Sequence, residues 1–220
     1  MINRKCFIIG IKSTKLTKQE LFFFKKYKPW GVILFSRNLQ NFKQIKNLTS
    51  NIKKIFKDKN YPIMIDQEGG RINRLNKIIS LDKFTSEYFG KLFVKDKREF
   101  LINYKLFIDK ISYLLKNLGI NINTVPVLDL RYKTSSKVIG DRSFSNNIKV
   151  VSDIGDLCIR YFRENSIGTV IKHIPGHGLA KVDSHNFTPI INKDKSYLYK
   201  KDFKVFELKK SLFAMTAHVI

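Results

Sequence analysis

Six short apolar runs, each about strand length, are separated along this chain by longer stretches whose apolar residues recur every three or four positions. The runs are 5–11 (KCFIIGI), 30–38 (WGVILFSRN), 61–70 (YPIMIDQEGG), 122–130 (INTVPVLDL), 168–178 (GTVIKHIPGHG) and 212–220 (LFAMTAHVI). Between them, Thr17 and Glu20 make a capping-box pattern ahead of Leu21 and Phe24. Phe42, Ile45, Leu48, Ile52 and Ile55 share one helical face. So do Tyr104, Ile108, Ile111, Leu115 and Leu118, followed by Gly119 as a helix stop. Val151, Ile154, Leu157, Cys158, Tyr161 and Phe162 repeat the pattern before Gly168. Strands that alternate with helices are joined in parallel, because a parallel pair needs a crossover long enough to hold a helix. Several runs are almost continuously apolar, as strands covered on both faces are.

Titratable groups gather where these runs end. Asp66, Gln67 and Glu68 follow Ile63–Ile65; Asp129 follows Val127 and Leu128; Lys172 and His173 follow Val170 and Ile171; His218 lies in the last run. A (β/α) barrel builds its active site at the C-terminal ends of its strands, so four such ends point to a site there. In IDQEGGRINR (65–74), Asp66 stands beside Arg71 and Arg74 across a Gly-Gly turn. That arrangement either binds the hydroxyls of a polar ligand or forms a surface ion network. IGDRSFS (139–145) places Arg142 in a loop with Gly140 and Asp141.

Three of the four histidines fall within KHIPGHGLAKVDSH (172–185). His173 and His177 have metal-ligand spacing only on a helix, and Pro175, Gly176 and Gly178 argue against one. Zinc is therefore the weaker reading, and a strand end followed by a mobile glycine-rich loop the stronger. Asp183 and His185 are two apart, on one side of an extended segment. The carboxylate then fixes the imidazole tautomer and the other nitrogen serves as general acid or base. An incidental acid and histidine in a surface loop is the plainer alternative.

Lys and Arg outnumber Asp and Glu by 42 to 18, a net charge of +24. Such a charge attracts polyanions. The lysines are spread along the whole chain, with Ile, Asn and Phe plentiful and Ala scarce, as compositional drift at surface positions produces. Nucleic acid is thus not the expected partner. There is no apolar run long enough to span a membrane and no export signal. Cys6 and Cys158 are read as buried thiols of a reducing, cytoplasmic compartment.

The pieces GVILFSRN, IDQEGGRINRL, NTVPVLDL, VIGDRSFS, KHIPGHG with DSH, and MTAHVI run in order from residue 31 to residue 220. Their combination resembles the family-3 glycoside hydrolases, and within them the bacterial β-N-acetylglucosaminidases of cell-wall recycling. The resemblance implies one catalytic domain over residues 1–220, an α/β fold of TIM-type (β/α) barrel, incomplete, with about six of eight β/α units. It implies retaining hydrolysis of terminal β-linked N-acetylglucosamine from small peptidoglycan-derived glycosides such as an anhydro-muropeptide, with no cofactor and no metal. By the same resemblance, His185 is the acid/base and Asp183 its partner, while Asp66, Arg74, Arg142, Lys172 and His173 grip the sugar.

The family's nucleophile is an aspartate downstream of the A-H-V segment, and no residue of this sequence matches it. The acids after His185 are Asp194, Asp202 and Glu207, in a stretch that reads as a connecting helix. A separate C-terminal fragment is one expectation. An inactive remnant and a non-catalytic amino-sugar-binding protein are the others.

Overall fold

The computed structural model describes residues 4–132, 138–182 and 188–220. Its strands are β1 (Lys5–Gly10), β2 (Pro29–Leu34), β3 (Ile63–Ile65), β4 (Gln67–Gly69), β5 (Ile72–Asn73), β6 (Ile122–Asn123), β7 (Gly168–Ile174) and β8 (Phe213–Thr216). Its helices are α1 (Lys18–Tyr27), α2 (Phe42–Ile55), α3 (Ser86–Lys95), α4 (Lys97–Asn117), α5 (Ile148–Glu164) and α6 (Lys195–Lys200). Thr17 caps α1 in a complete capping box, its side chain accepting from the Glu20 N–H. Gly119, one residue past the cap of α4, has φ +75°, where a side chain would be strained.

The main sheet has six strands in the order β1-β2-β3-β6-β7-β8, every neighbouring pair parallel. The β4–β5 hairpin stands apart as a two-stranded antiparallel ladder. The helix-facing side of the sheet is the larger core: Val32, Leu34, Ile63, Ile65 and Ile171 pack with Ile45, Ile108, Ile111, Leu115 and Ile154 from the helices. A smaller cluster lines the other side, with Met64, Ile122 and Val170 packed against Trp30, Ile33, Phe213 and Met215. The rings of Trp30 on β2 and Phe213 on β8 lie 5.3 Å apart, although three strands separate theirs in the sheet. The sheet therefore curls around its second face, as a partial barrel does.

Several elements are shorter than the sequence pattern suggests. Of run 61–70, only Ile63–Ile65 joins the main sheet; Gln67–Gly69 turns back on β5. Of run 122–130, only Ile122–Asn123 is regular strand, with Val127 bridged to Lys172 farther on. Cis bonds precede Pro126 and Pro175 and join Lys172 to His173. The stretch read as one connecting helix is the six-residue α6 followed by a 3₁₀ turn at Phe203–Phe206. Helix α3 is not foreseen at all, because Ser86–Lys95 follows a polar turn with only a short apolar period. Cys158 is buried as expected, but Cys6 is exposed: it lies on β1, an edge strand whose first four residues are all open to solvent.

Gly90 shows how tightly α3 is seated. A Cβ at this position would lie 1.7 Å from the Phe144 carbonyl oxygen, so at Gly90 the helix meets the backbone of the 139–145 loop with no room for a side chain. Gly90→Ala should lower the unfolding free energy by about 1–3 kcal/mol. Val94→Ala, at an exposed position of the same helix, should change it by less than about 0.5 kcal/mol. Urea denaturation of both variants checks the pair.

Candidate active site

The site begins at the turn after β3. Asn123 accepts from the Gln67 N–H and donates to the Gln67 carbonyl, both at 2.9 Å. This two-way clamp ties the chain beyond β3 to β6. The Gln67 side chain donates to Asn73 at 2.9 Å and accepts from the Leu75 N–H at 3.0 Å, which folds the hairpin. Gly69 and Gly70 make its turn with φ +102° and +53°. A Cβ on Gly69 would lie 2.3 Å from the Phe84 carbonyl oxygen, so the turn has no room for a side chain. Asp66 and Glu68, two apart in extended backbone, are thereby set on one side.

Opposite them, β7 delivers Lys172 and the 3₁₀ turn Gly140–Arg142 delivers Arg142. The Lys172 ammonium lies 2.6 Å from Glu68 and 3.0 Å from Asp66, and donates to Thr124 at 3.2 Å. Arg142 grips Glu68 with two parallel bonds, Nε at 2.8 Å and Nη2 at 2.9 Å, and its Nη1 donates to the Val138 carbonyl. Thr124 donates to Asp66, and Arg74 reaches the other Asp66 oxygen at 3.5 Å. Burial alone would raise the Glu68 pKa; the charges of Lys172 and Arg142 and their hydrogen bonds outweigh it and hold the carboxyl well below the usual range. Asp66 is lowered in the same way, with burial outweighed by Lys172 and Thr124. Burial opposes the charge of Arg142, but Glu68 holds its pKa above the ordinary value.

A second centre adjoins the first. Asp129 is fully buried, and its Oδ2 lies 2.6 Å from Nδ1 of His173 while its Oδ1 accepts from the His177 N–H at 2.7 Å. Burial would raise this carboxyl, but the His173 hydrogen bond and charge prevail and lower it. In this pairing the Nδ1–H of His173 donates to Asp129, and Nε2 is its other ring nitrogen. The His177 ring is buried with neither nitrogen hydrogen-bonded among the described residues, and its burial lowers its pKa. No group of three His, Cys, Asp or Glu side chains among the described residues is arranged to hold a metal ion.

Of the residues singled out in sequence, Asp66, Arg74, Arg142 and Lys172 form one continuous ionic network, and His173 follows Lys172 directly. Asp183 and His185 lie outside the described residues. Arg71 turns away from Asp66: it binds Asp141 at 2.8 Å and the Val138 carbonyl at 2.8 Å, and so braces the loop that carries Arg142. Glu68 and Thr124 belong to the network but were not singled out for the sugar. The two-residue spacing from Asp66 is the signal that marks Glu68; nothing in the sequence marks Thr124.

Residues 5–220 match the model of the glycosyl hydrolase family 3 N-terminal domain. A β-hexosaminidase of Haemophilus ducreyi is 36% identical over 97% of this chain and 62% of its own length. One from Actinobacillus pleuropneumoniae serotype 5b is 33% identical over 97% of the chain and 61% of its own length. The chain thus spans about three-fifths of these relatives. Among solved structures, NagZ from Neisseria gonorrhoeae in complex with N-trifluoroacetyl-D-glucosamine superposes with a TM-score of 0.89 at 28% identity, covering 100% of this chain and 65% of its own. A family 3 β-N-acetylglucosaminidase from Paenibacillus gives a TM-score of 0.85 at 26% identity over 97% of this chain and 40% of its own.

Glu68→Gln keeps the shape of the side chain but leaves two buried cations short of a counter-charge. It should lower stability by about 3–5 kcal/mol near neutral pH. Because the folded pKa of Glu68 is depressed, its contribution is present above the ordinary glutamate range and drains away as pH falls through the folded value. Urea midpoints of both proteins should therefore converge on acidification, and a gap that stays constant with pH would contradict the charge argument.

Proposed function

This chain belongs to the glycosyl hydrolase family 3 N-terminal domain, and from that membership we propose that its strand-end network seats a terminal β-linked N-acetylglucosamine for retaining hydrolysis. The observation that carries the reading is the convergence of Asp66, Lys172 and Arg142 at the strand ends, Lys172 pairing with Asp66 and both cations held by Glu68. Asp66 is the acceptor for a pair of sugar hydroxyls, since Lys172 and Thr124 share one of its oxygens and Arg74 sits at a looser 3.5 Å from the other. Lys172 already directs its three hydrogens to Asp66, Glu68 and Thr124. A sugar hydroxyl that bonds to it takes the place of Thr124, the longest of the three contacts. Arg142 uses three of its five N–H groups on Glu68 and Val138, which leaves two for the ligand. His173 offers Nε2, its other nitrogen held by Asp129.

In this reading Asp183 and His185 supply the acid/base pair from the loop after β7. The leaving oxygen takes a proton from His185, and Asp183 fixes its tautomer and stabilises the imidazolium. Asp66, Glu68 and Asp129 are not assigned as the nucleophile, because all three are tied to basic side chains. The substrates are small peptidoglycan-derived glycosides and the compartment is the cytoplasm. Two free cysteines are consistent with a reducing environment, and no helix among the described residues is long and apolar enough to cross a membrane. If the chain by itself binds the sugar without turnover, it acts as a sugar-binding module. That outcome is favoured by the ion-paired state of every strand-end carboxylate described.

Calorimetry with N-acetylglucosamine tests the pocket. Asp66→Ala should weaken binding at least about a hundredfold, as expected for loss of two hydrogen bonds to a charged acceptor. Asp153→Asn, whose carboxylate pairs with the exposed Lys149 on α5, should leave it unchanged. Equal affinity in Asp66→Ala and the parent protein would remove the reading. Release of the aryl group from an aryl β-N-acetylglucosaminide separates an enzyme from a binding module.

A further inference from the structure

The turn after β7 carries His177 and leads into residues 183–187, and two buried aspartates grip it from different elements. Asp129 accepts from the His177 N–H at 2.7 Å. Asp202, between α6 and the following 3₁₀ turn, packs on Gly176: a Cβ there would lie 2.7 Å from the Asp202 Cβ and 3.2 Å from its Oδ1. Gly176 has φ +134°, so both the space and the backbone demand glycine. Asp202 is 2% exposed. Its Oδ2 accepts from the Tyr132 hydroxyl at 2.8 Å, whereas its Oδ1 is buried without a hydrogen-bond partner among the described residues. Its setting differs from that of Asp66, Glu68 and Asp129, each of which faces a basic side chain.

We infer that Asp202 is a positioning residue: with Tyr132 it latches the Gly176 turn, and through it the loop that presents His177 and continues to Asp183 and His185, and its ionisation loosens that latch. The inference rests on the proposed sugar site only for its consequence in turnover. The groups around the carboxyl explain the effect. Burial raises its pKa, the Tyr132 hydroxyl opposes the rise, the buried Asp129 adds to it, and the Asp202 N–H and Lys201 oppose it, for a result of about 6. Tyr197 from α6 touches the pair through Tyr132. As a neutral acid, Asp202 fits this setting. As an anion, it lacks a partner at Oδ1 and faces the like charge of Asp129, a strain that water entering beside Gly176 relieves. A carboxyl whose folded pKa is raised supports the closed turn fully below the unfolded value and loses that support as pH rises through the folded one.

Hydrogen exchange reads the latch without any sugar. The Gly176 amide donates to the His173 carbonyl at 2.7 Å and the Ala180 amide to the His177 carbonyl at 3.1 Å. After correction for intrinsic rates, their protection in the full chain should fall about ten- to a hundredfold between about pH 4 and about pH 7, because each unit of pKa displacement is a tenfold change. The midpoint should lie near 6, with amides of α4 unaffected. Asp202→Asn should hold the low-pH protection throughout. Tyr132→Phe should keep the fall but move its midpoint upward. Flat protection in the parent protein, or an undiminished fall in Asp202→Asn, would overturn the inference. Should the Asn variant not fold, an unmoved midpoint in Tyr132→Phe would overturn it as well. Loss of N-acetylglucosamine binding in Asp66→Ala leaves these exchange rates unchanged, so the latch and the sugar site fail separately.

Discussion

A glutamate carboxylate buried between an ammonium and a guanidinium is the constraint from which the arrangement of the strand ends follows. Ionised Glu68 has side-chain exposure of only 3%, and it is tolerable there only because Lys172 and Arg142 both reach it. Those three residues come from β4, β7 and the turn Gly140–Arg142, so one ion cluster fixes the relative placement of three segments far apart in sequence. A strand slipped by one residue would turn Lys172 to the helix-facing side and leave the carboxylate uncompensated. The supporting hydrogen bonds run the same way. Asn123 clamps Gln67, Arg71 braces the 138–141 loop, and the glycines at 69 and 70 let the hairpin fold back on the sheet.

Stability alone does not account for such a cluster, since well-packed apolar side chains in place of a buried ion group are often as stable or more so. What ions add is geometric definition. Lys172 has its three hydrogens, and Arg142 three of its five, directed at fixed acceptors before any ligand arrives, so little reorganisation remains for binding. The same logic separates the rigid half of the site from the loop after β7. Asp66, Glu68 and Asp129 are tied to basic groups, whereas the Gly176 turn rests on a carboxyl with one oxygen unpartnered among the described residues. The ion cluster and the Gly176 turn are thus held by different physical means in one structure.

How much of this was legible in the sequence depended on the range of the interaction. The six parallel strands and the helices α1, α2, α4 and α5 are written in local periodicity, and the Thr17–Glu20 box and Gly119 in local capping chemistry. Asp66, Arg74, Arg142, Lys172 and His173 were marked by their places at the ends of apolar runs or in short motifs. Helix α3 escaped because its amphipathic period covers too few residues, and β4–β5 because both strands are only two or three residues long. Glu68 was hidden by its type: an acid after Asp66 looks solvated until Lys172 arrives from 104 positions away. Cys6 was misjudged because hydrophobic neighbours do not reveal that a strand lies at the edge of its sheet.

The charge of the site also narrows its ligand. The whole chain carries +24, which by itself favours anions. At the strand ends, however, the carboxylates of Asp66, Glu68 and Asp129 stand against basic side chains, Lys172, Arg142 and Arg74 and the His173 imidazole. Locally acids and bases are matched. A pocket of that kind gains little from a charged ligand, because each of its ions already has a counter-ion at contact distance. It gains most from a neutral molecule rich in groups that both donate and accept, which can insert between paired ions without unbalancing them. A polyhydroxylated ring has that character and a polyanion does not, so the surplus of lysines on the surface and the chemistry of the strand ends point to different partners, and only the second is built into the fold.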